Sequence, residues 1–202
     1  MSIRLLLADD QELIRTALAA LLDLEDDFDV VASVGRGDQV VDAARAHRPD
    51  VALLDIEMPG LDGLAAAALL ATHLPACKVV ILTTFGRPGY LRRAMDAGAV
   101  GFVVKDAPAE MLAAAIRRVA VGERVVDPQL AAATLAAGES PLTARERDVL
   151  IVARSGATVA EIAAKLYLSE GTVRNYLSTA IAKTAARNRL EALSIADQRG
   201  WL

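Results

Sequence analysis

Four short, nearly unbroken apolar runs, at residues 3–8, 51–54, 78–82 and 101–104, constrain the fold of this chain more than any other feature of its sequence. Runs of this length without polar alternation mark strands covered on both faces of a parallel sheet, where no side of the strand meets water. A weaker run at 30–33 supplies a fifth strand. Helix-length amphipathic segments follow at about 11–22, 39–46, 64–73, 89–97 and 108–120, with Pro108 suited to a first helical turn and Gly98 to the left-handed position after a helix. The alternation predicts a doubly wound α/β domain around a five-stranded parallel sheet.

After Pro141 the pattern becomes all-helical. Thr143 with Glu146 and Thr158 with Glu161 fit capping boxes, and Ser169 offers a third cap. Helices are expected at about 144–155, 159–166, 170–184 and 190–198. Only Tyr167, Leu168 and Ser169 separate the second from the third, which is helix-turn-helix spacing. The expected organisation is an α/β domain at 1–122, a linker with a short alanine-rich helix at 123–140, and a four-helix domain at 141–202.

With 54% hydrophobic residues, 202 residues suffice for one large core or two small ones. The apolar stretches are too short to cross a bilayer, and the chain passes directly from Ser2 into an apolar run, so no membrane insertion and a cytoplasmic location are expected. The single Cys77 forms no intrachain disulfide, no Cys/His cluster offers a zinc site, and His47 and His73 sit near helix ends rather than in a nucleophilic arrangement. Residues 1–122 carry 12 Lys+Arg against 17 Asp+Glu, whereas 141–202 carry 9 against 6. The swing from a net charge of −5 to +3 assigns any polyanion binding to the C-terminal domain.

In such a sheet, ligands bind beyond the carboxyl ends of the strands. Those ends carry Asp9 and Asp10, Asp55, Thr83 with Thr84, and Lys105. Three carboxylates held together repel unless a divalent cation neutralises them, and an all-oxygen donor set suits Mg²⁺. Asp55 is then the nucleophile toward a phosphoryl group, Lys105 neutralises the phosphoryl charge, and the Thr83 hydroxyl donates to it. Singly, each feature has a plain alternative: a solvated Asp pair, or a lysine in a surface turn.

In their joint order, Leu-Leu-Ala-Asp9-Asp10, Leu-Leu-Asp55-Ile-Glu-Met-Pro59-Gly60, Ile-Leu-Thr83-Thr84 and Gly-Phe102-Val-Val-Lys105-Asp106 resemble the receiver domain of two-component systems, a CheY- or flavodoxin-like fold. The resemblance implies Asp55 as phospho-acceptor, Mg²⁺ held by Asp9, Asp10, Asp55 and the backbone carbonyl of Glu57, and Thr83 with Phe102 as a switch pair. In that family the aromatic is often Tyr, so Phe102 lacks a hydroxyl, and Thr84 is larger than the small residue often found there. The resemblance further implies a sensor histidine kinase as donor. Thr83 then moves toward the phosphoryl group, Phe102 swings inward, and the chain pairs as a homodimer, often through the first and last receiver helices.

The segment from Leu142 to Leu150, the step Ala160-Glu161-Ile-Ala163 and the run Leu168-Ser169-Glu-Gly171-Thr172-Val173-Arg174-Asn175-Tyr176 resemble the LuxR/NarL helix-turn-helix family. Several phrases are similar to its DesR-like branch, which implies membrane-lipid genes as targets. Val173, Leu177 and Ile181 recur at four-residue spacing toward the core, leaving Arg174, Asn175 and Ser178 to read base edges of double-stranded DNA. Lys165, Ser169 and Thr172, with Lys183, Arg187 and Arg189, are the candidate phosphate contacts. Thr184 replaces the family's usual Leu and is expected to loosen the last helix, where Ala192, Leu193 and Ala196 are candidate dimer contacts. Two rival readings are a phosphatase of the haloacid-dehalogenase type, which needs an Asp where this chain has Glu57, and a phosphate-independent dimerising regulator.

Overall fold

In the computed structural model, which describes residues 2–84, 88–136 and 140–202, the apolar runs become β1 (Ile3–Ala8), β2 (Phe28–Val34), β3 (Val51–Asp55), β4 (Lys78–Thr83) and β5 (Gly101–Val104). Helices α1 (Glu12–Leu22), α2 (Val40–His47), α3 (Gly63–His73), α4 (Pro88–Asp96) and α5 (Ala109–Ala120) follow the five strands in turn. All pairings are parallel, in the order β2-β1-β3-β4-β5, with a sixth strand, β6 (Val125–Val126), beyond β5. The chain therefore winds outward in both directions from β1 and β3, and their carboxyl ends meet at the reversal.

The sheet has six strands rather than the expected five, because β6 (Val125–Val126) pairs with Gly101 and Phe102 of β5. Two residues carry no readable period. They become a strand only because the edge of β5 offers backbone partners, such as the Val100 carbonyl that accepts from the Val125 amide at 2.9 Å. The alanine-rich stretch beyond forms α6 (Pro128–Ala136).

Residues 2–84 and 91–131 form one compact unit, and 132–136 and 140–202 together with 88–90 form the other. In the first, Leu5, Leu7, Leu53, Val80 and Leu82 pack on one sheet face against Leu112 and Ile116 of α5 and Leu22 of α1. The alternate residues Leu6, Ala52, Leu54 and Ile81 are equally buried on the other face. That is why these runs do not alternate in polarity. Arg117 of α5 is bidentate to Asp27 at 2.7 and 2.6 Å, reaches Glu25 at 2.7 Å and stacks over Phe28, tying α5 to the loop before β2.

The second unit holds α7 (Ala144–Ala153), α8 (Val159–Leu166), α9 (Glu170–Lys183) and α10 (Arg189–Gln198). Both capping boxes form, and Ser169 accepts from the Thr172 amide at the head of α9. The core joins Val149, Leu150 and Ala153 of α7 to Ile162 of α8, Val173, Leu177 and Ala180 of α9, and Trp201. Tyr167, with φ 56°, takes the left-handed position that ends α8 and lets the chain turn into α9.

Glu146 is only 4% exposed and does two jobs: it closes the α7 capping box and receives Lys183 of α9 at 2.8 Å. Burial raises its pKa, but the bonds from Lys183 and Thr143 outweigh that, and the net direction is below the ordinary glutamate value. The stabilisation is thus complete above the unfolded value and is lost as pH falls through the lower, folded one. Glu146→Ala should destabilise the helical unit by about 1–3 kcal/mol at neutral pH. Chemical denaturation of wild type and variant checks this, and the difference should shrink in acid.

Candidate functional site

The register of β1 on β3 pairs Ala8 with Leu54, so the next residues, Asp9 and Asp55, emerge side by side at the rim. Asp9 and Asp55 are 3% and 5% exposed, whereas Asp10 lies at the surface. One carboxylate oxygen from each of the three lies within 4.8 Å of the others. On the neighbouring strands Thr83 ends β4, buried, and accepts the Lys105 amide at its carbonyl (2.7 Å). The Lys105 side chain folds back over the rim, with Nζ 2.6 Å from Asp9 Oδ2 and 3.1 Å from Asp55 Oδ1. Gly63 opens α3 against the Asp55 carbonyl, where a Cβ would stand 1.8 Å from that oxygen. Only glycine lets α3 start this close beneath the site.

Burial is the largest influence on Asp55 and raises its pKa above the ordinary carboxylate value. Lys105 opposes that shift, and the charge of Asp9 adds to it. Burial likewise works to lower the Lys105 pKa, but its bonds to Asp9 and Asp55 prevail and the net direction is upward. One ammonium thus pairs with two of the three carboxylates, and the rim keeps an excess of negative charge. The oxygen-only donor set and that excess fit a small hard divalent cation.

Glu57 and Thr84 lie exposed in the loops after β3 and β4. Phe102 is 2% exposed and backs a cavity of about 360 Å³ lined also by Met111, Ala115, Val126 and Leu130. The ring is thus packed inside the receiver unit, on the strand next to the one that ends in Thr83. A phenyl ring has no hydroxyl to satisfy, and β6 covers the strand edge beside it.

In the helical unit, Val173 and Leu177 face the core with Ile181 packed against it, while Arg174, Asn175 and Ser178 are exposed on one stripe of α9. Arg174 meets Glu170 at 2.6 Å on the surface. Ser169 and Thr172 hydroxyls bond each other at 2.8 Å beside the helix start, and Lys165 is exposed. Arg187 is 86% exposed and pairs with Glu191, whereas Arg189 donates to the Ala157 carbonyl at 2.9 Å and Lys183 to Glu146. These last two carry structural contacts that a composition-level reading of basic residues does not reveal.

Two expectations for the last helix are corrected. The Thr184 hydroxyl is satisfied by the carbonyls of Ala180 (2.8 Å) and Ile181 (3.1 Å), so a buried polar atom is not left to loosen the packing. Ala192, Leu193 and Ala196 are 0%, 8% and 0% exposed, so they belong to the core and are not open to a partner. The exposed stripe of α10 is instead Leu190, Ser194 and Gln198. Sequence reading also missed the groups that hold Asp9: the Gln11 amide reaches its Oδ1 at 2.9 Å, and Arg15 reaches its carbonyl at 2.6 Å.

A parallel sheet with an acidic rim and a separate helix-turn-helix unit define a signal-responsive transcription factor. Residues 5–117 match the response regulator receiver domain and residues 140–196 match the LuxR family of bacterial regulatory proteins. Two relatives come from Bacillus subtilis (strain 168). The transcriptional regulatory protein YvfU is 46% identical over 200 residues, covering 99% of this chain and all of that one; DesR is 44% identical over 199, covering 98% of each. The crystal structure of the response regulator ChrA of a heme-sensing two-component system superposes with a TM-score of 0.60 at 34% identity, covering 100% of this chain and 99% of that one. An RcsB–DNA complex superposes at 0.69 over 98% of this chain and 99% of that one, its 22% identity bearing on fold alone. The chain belongs to the two-component response regulators with a LuxR-type DNA-binding domain. It is a transcriptional regulator.

Proposed function

We propose that Asp55 accepts a phosphoryl group from a histidine kinase, and that this controls homodimerisation and sequence-specific binding to double-stranded DNA in the cytoplasm. The carrying observation is the meeting of three carboxylates, the inward-folded ammonium of Lys105 and buried Thr83 at one rim. An Asp55 oxygen attacks phosphorus, the phosphorus–nitrogen bond of the kinase phosphohistidine breaks, and its electron pair leaves with the imidazole, which takes up a proton. Asp9, Asp10 and Asp55, with the Glu57 carbonyl, would hold Mg²⁺. When bound, the ion offsets carboxylate and phosphoryl charge. Lys105 exchanges its contact with Asp55 for a phosphoryl oxygen, and the Thr83 hydroxyl is drawn to another. Thr83 moving toward the phosphoryl group, with the Phe102 ring repacking behind it, changes the face around β4 and β5.

Pairing places two α9 helices on one two-part site, so the second binds at high effective concentration. Arg174, Asn175 and Ser178 read base edges, with Lys165, Ser169, Thr172 and Arg187 on phosphates; Lys183 and Arg189 add charge while keeping their structural bonds. The finer reading, membrane-lipid genes as targets, rests on the DesR-like phrases of the sequence. Beryllofluoride with Mg²⁺, which mimics the phosphoryl group, should convert monomer to dimer in sedimentation. An unchanged oligomeric state would favour the phosphate-independent regulator.

A further inference from the structure

We propose that Arg15 of α1 is a positioning residue for the divalent-cation site, gripping the peptide between Asp9 and Asp10 so that the Asp10 carboxylate is delivered to the rim. The inference rests on the reading of the acidic rim as a Mg²⁺ site, and it adds a residue that lies outside the ligand set. Asp9 is restrained from several sides. Its amide donates to the Val34 carbonyl at 3.2 Å, its Oδ1 accepts from the Gln11 amide, its Oδ2 faces Lys105, and its carbonyl accepts from Arg15 Nη1 at 2.6 Å. Asp10 is the contrast: it is exposed, and no hydrogen bond or ion pair among the described residues restrains its carboxylate.

The peptide plane connects the two residues. The Asp9 carbonyl oxygen, the Asp10 nitrogen and the Asp10 Cα are coplanar, so a donor that fixes the oxygen also fixes where the Asp10 side chain begins. A guanidinium suits this task, because its charge-assisted bond is strong and its plane is rigid. The fold makes room for it. Gly35, the residue after β2, leaves its Cα bare under the guanidinium, and a Cβ there would stand 3.2 Å from Nη1, 3.6 Å from Cζ and 3.8 Å from Nη2. Arg15 thus spans from α1 across the end of β2 to the peptide that carries the acidic pair.

Charge and position make opposite demands, which gives the test its sign. A cation beside a cation site weakens Mg²⁺ binding by repulsion, so on charge alone Arg15→Ala would bind Mg²⁺ more tightly. On the positioning account it binds more weakly, by about tenfold, the scale seen when a supporting partner behind a metal ligand is removed. Calorimetric Mg²⁺ titration of the full chain measures this, with melting in metal-free buffer run alongside to report on the fold. Gly35→Ala leaves every charge in place and displaces the guanidinium by a few tenths of an ångström; a two- to threefold weaker affinity is expected, and Arg15→Lys should fall between wild type and Arg15→Ala. Unchanged or tighter binding by both Arg15→Ala and Gly35→Ala overturns the inference. Should Arg15→Ala fail to fold, Gly35→Ala decides alone. A wild-type chain that takes up no Mg²⁺ overturns the site itself, a failure visible in a different arm of the experiment.

Discussion

The Asp55→Asn variant should take up no phosphoryl group from a phosphorylated kinase or a small acyl phosphate, yet melt at a higher temperature than wild type in metal-free buffer at neutral pH. The first half follows from chemistry: a neutral amide has no charged oxygen to attack phosphorus, so the loss is complete rather than graded. The second half follows from burial, which raises the Asp55 pKa despite Lys105 and makes the ionised carboxylate a net burden on the folded state. A raised folded pKa means that the relative stabilisation is complete below the unfolded value and is gone once pH rises past the folded one. Asparagine avoids that loss, so the gap in melting temperature should open as pH rises and close in acid. Lys105 keeps Asp9 as a partner in the variant, which prevents a buried ammonium from being stranded. Intact-mass measurement and calorimetry across pH check both halves; stoichiometric phosphorylation of the variant would sink the assignment of the acceptor.

Arg174→Ala should weaken binding to the specific DNA site by roughly 5- to 150-fold, the equivalent of about 1–3 kcal/mol for a forked contact with a base. Binding to unrelated DNA should change far less, and the melting temperature hardly at all. The fold is spared because the surface pair with Glu170 is half exposed at both ends, and such pairs contribute little. Lys183→Ala is the instructive companion: it removes the partner of a buried carboxylate, so it should lower stability first and DNA affinity partly in consequence. Fluorescence anisotropy with specific and scrambled duplexes separates the cases. Equal losses on both duplexes for Arg174→Ala would mark it as a phosphate contact instead of a base reader.

Much of this was legible in the sequence for identifiable reasons. Unalternating runs report strands covered on both faces, and the capping boxes at Thr143 and Thr158 report helix starts because they are local, four-residue arrangements. The acidic rim was legible because a doubly wound topology brings every strand end to one edge. What was missed is non-local. The strand β6 exists through the edge of β5, and the partners of Lys183 and Arg189 lie 37 and 32 residues away along the chain. The core role of Ala192, Leu193 and Ala196 appears only once α10 is docked on α7 and α9.

By itself, then, the order of residues determined the five central strands, the helices that alternate with them and the four helices of the second unit, and which acidic, hydroxyl and basic side chains stand at strand ends and on the outer stripe of α9. Spacing and local hydrogen bonding suffice for that, since each of these elements is decided within a few turns of chain. Only the tertiary structure decided which charges are already spoken for: Lys105 by two carboxylates, Lys183 by Glu146, Arg15 by a backbone carbonyl. The physical reason is that a long cationic side chain can reach many partners, and burial at the folded site selects among them.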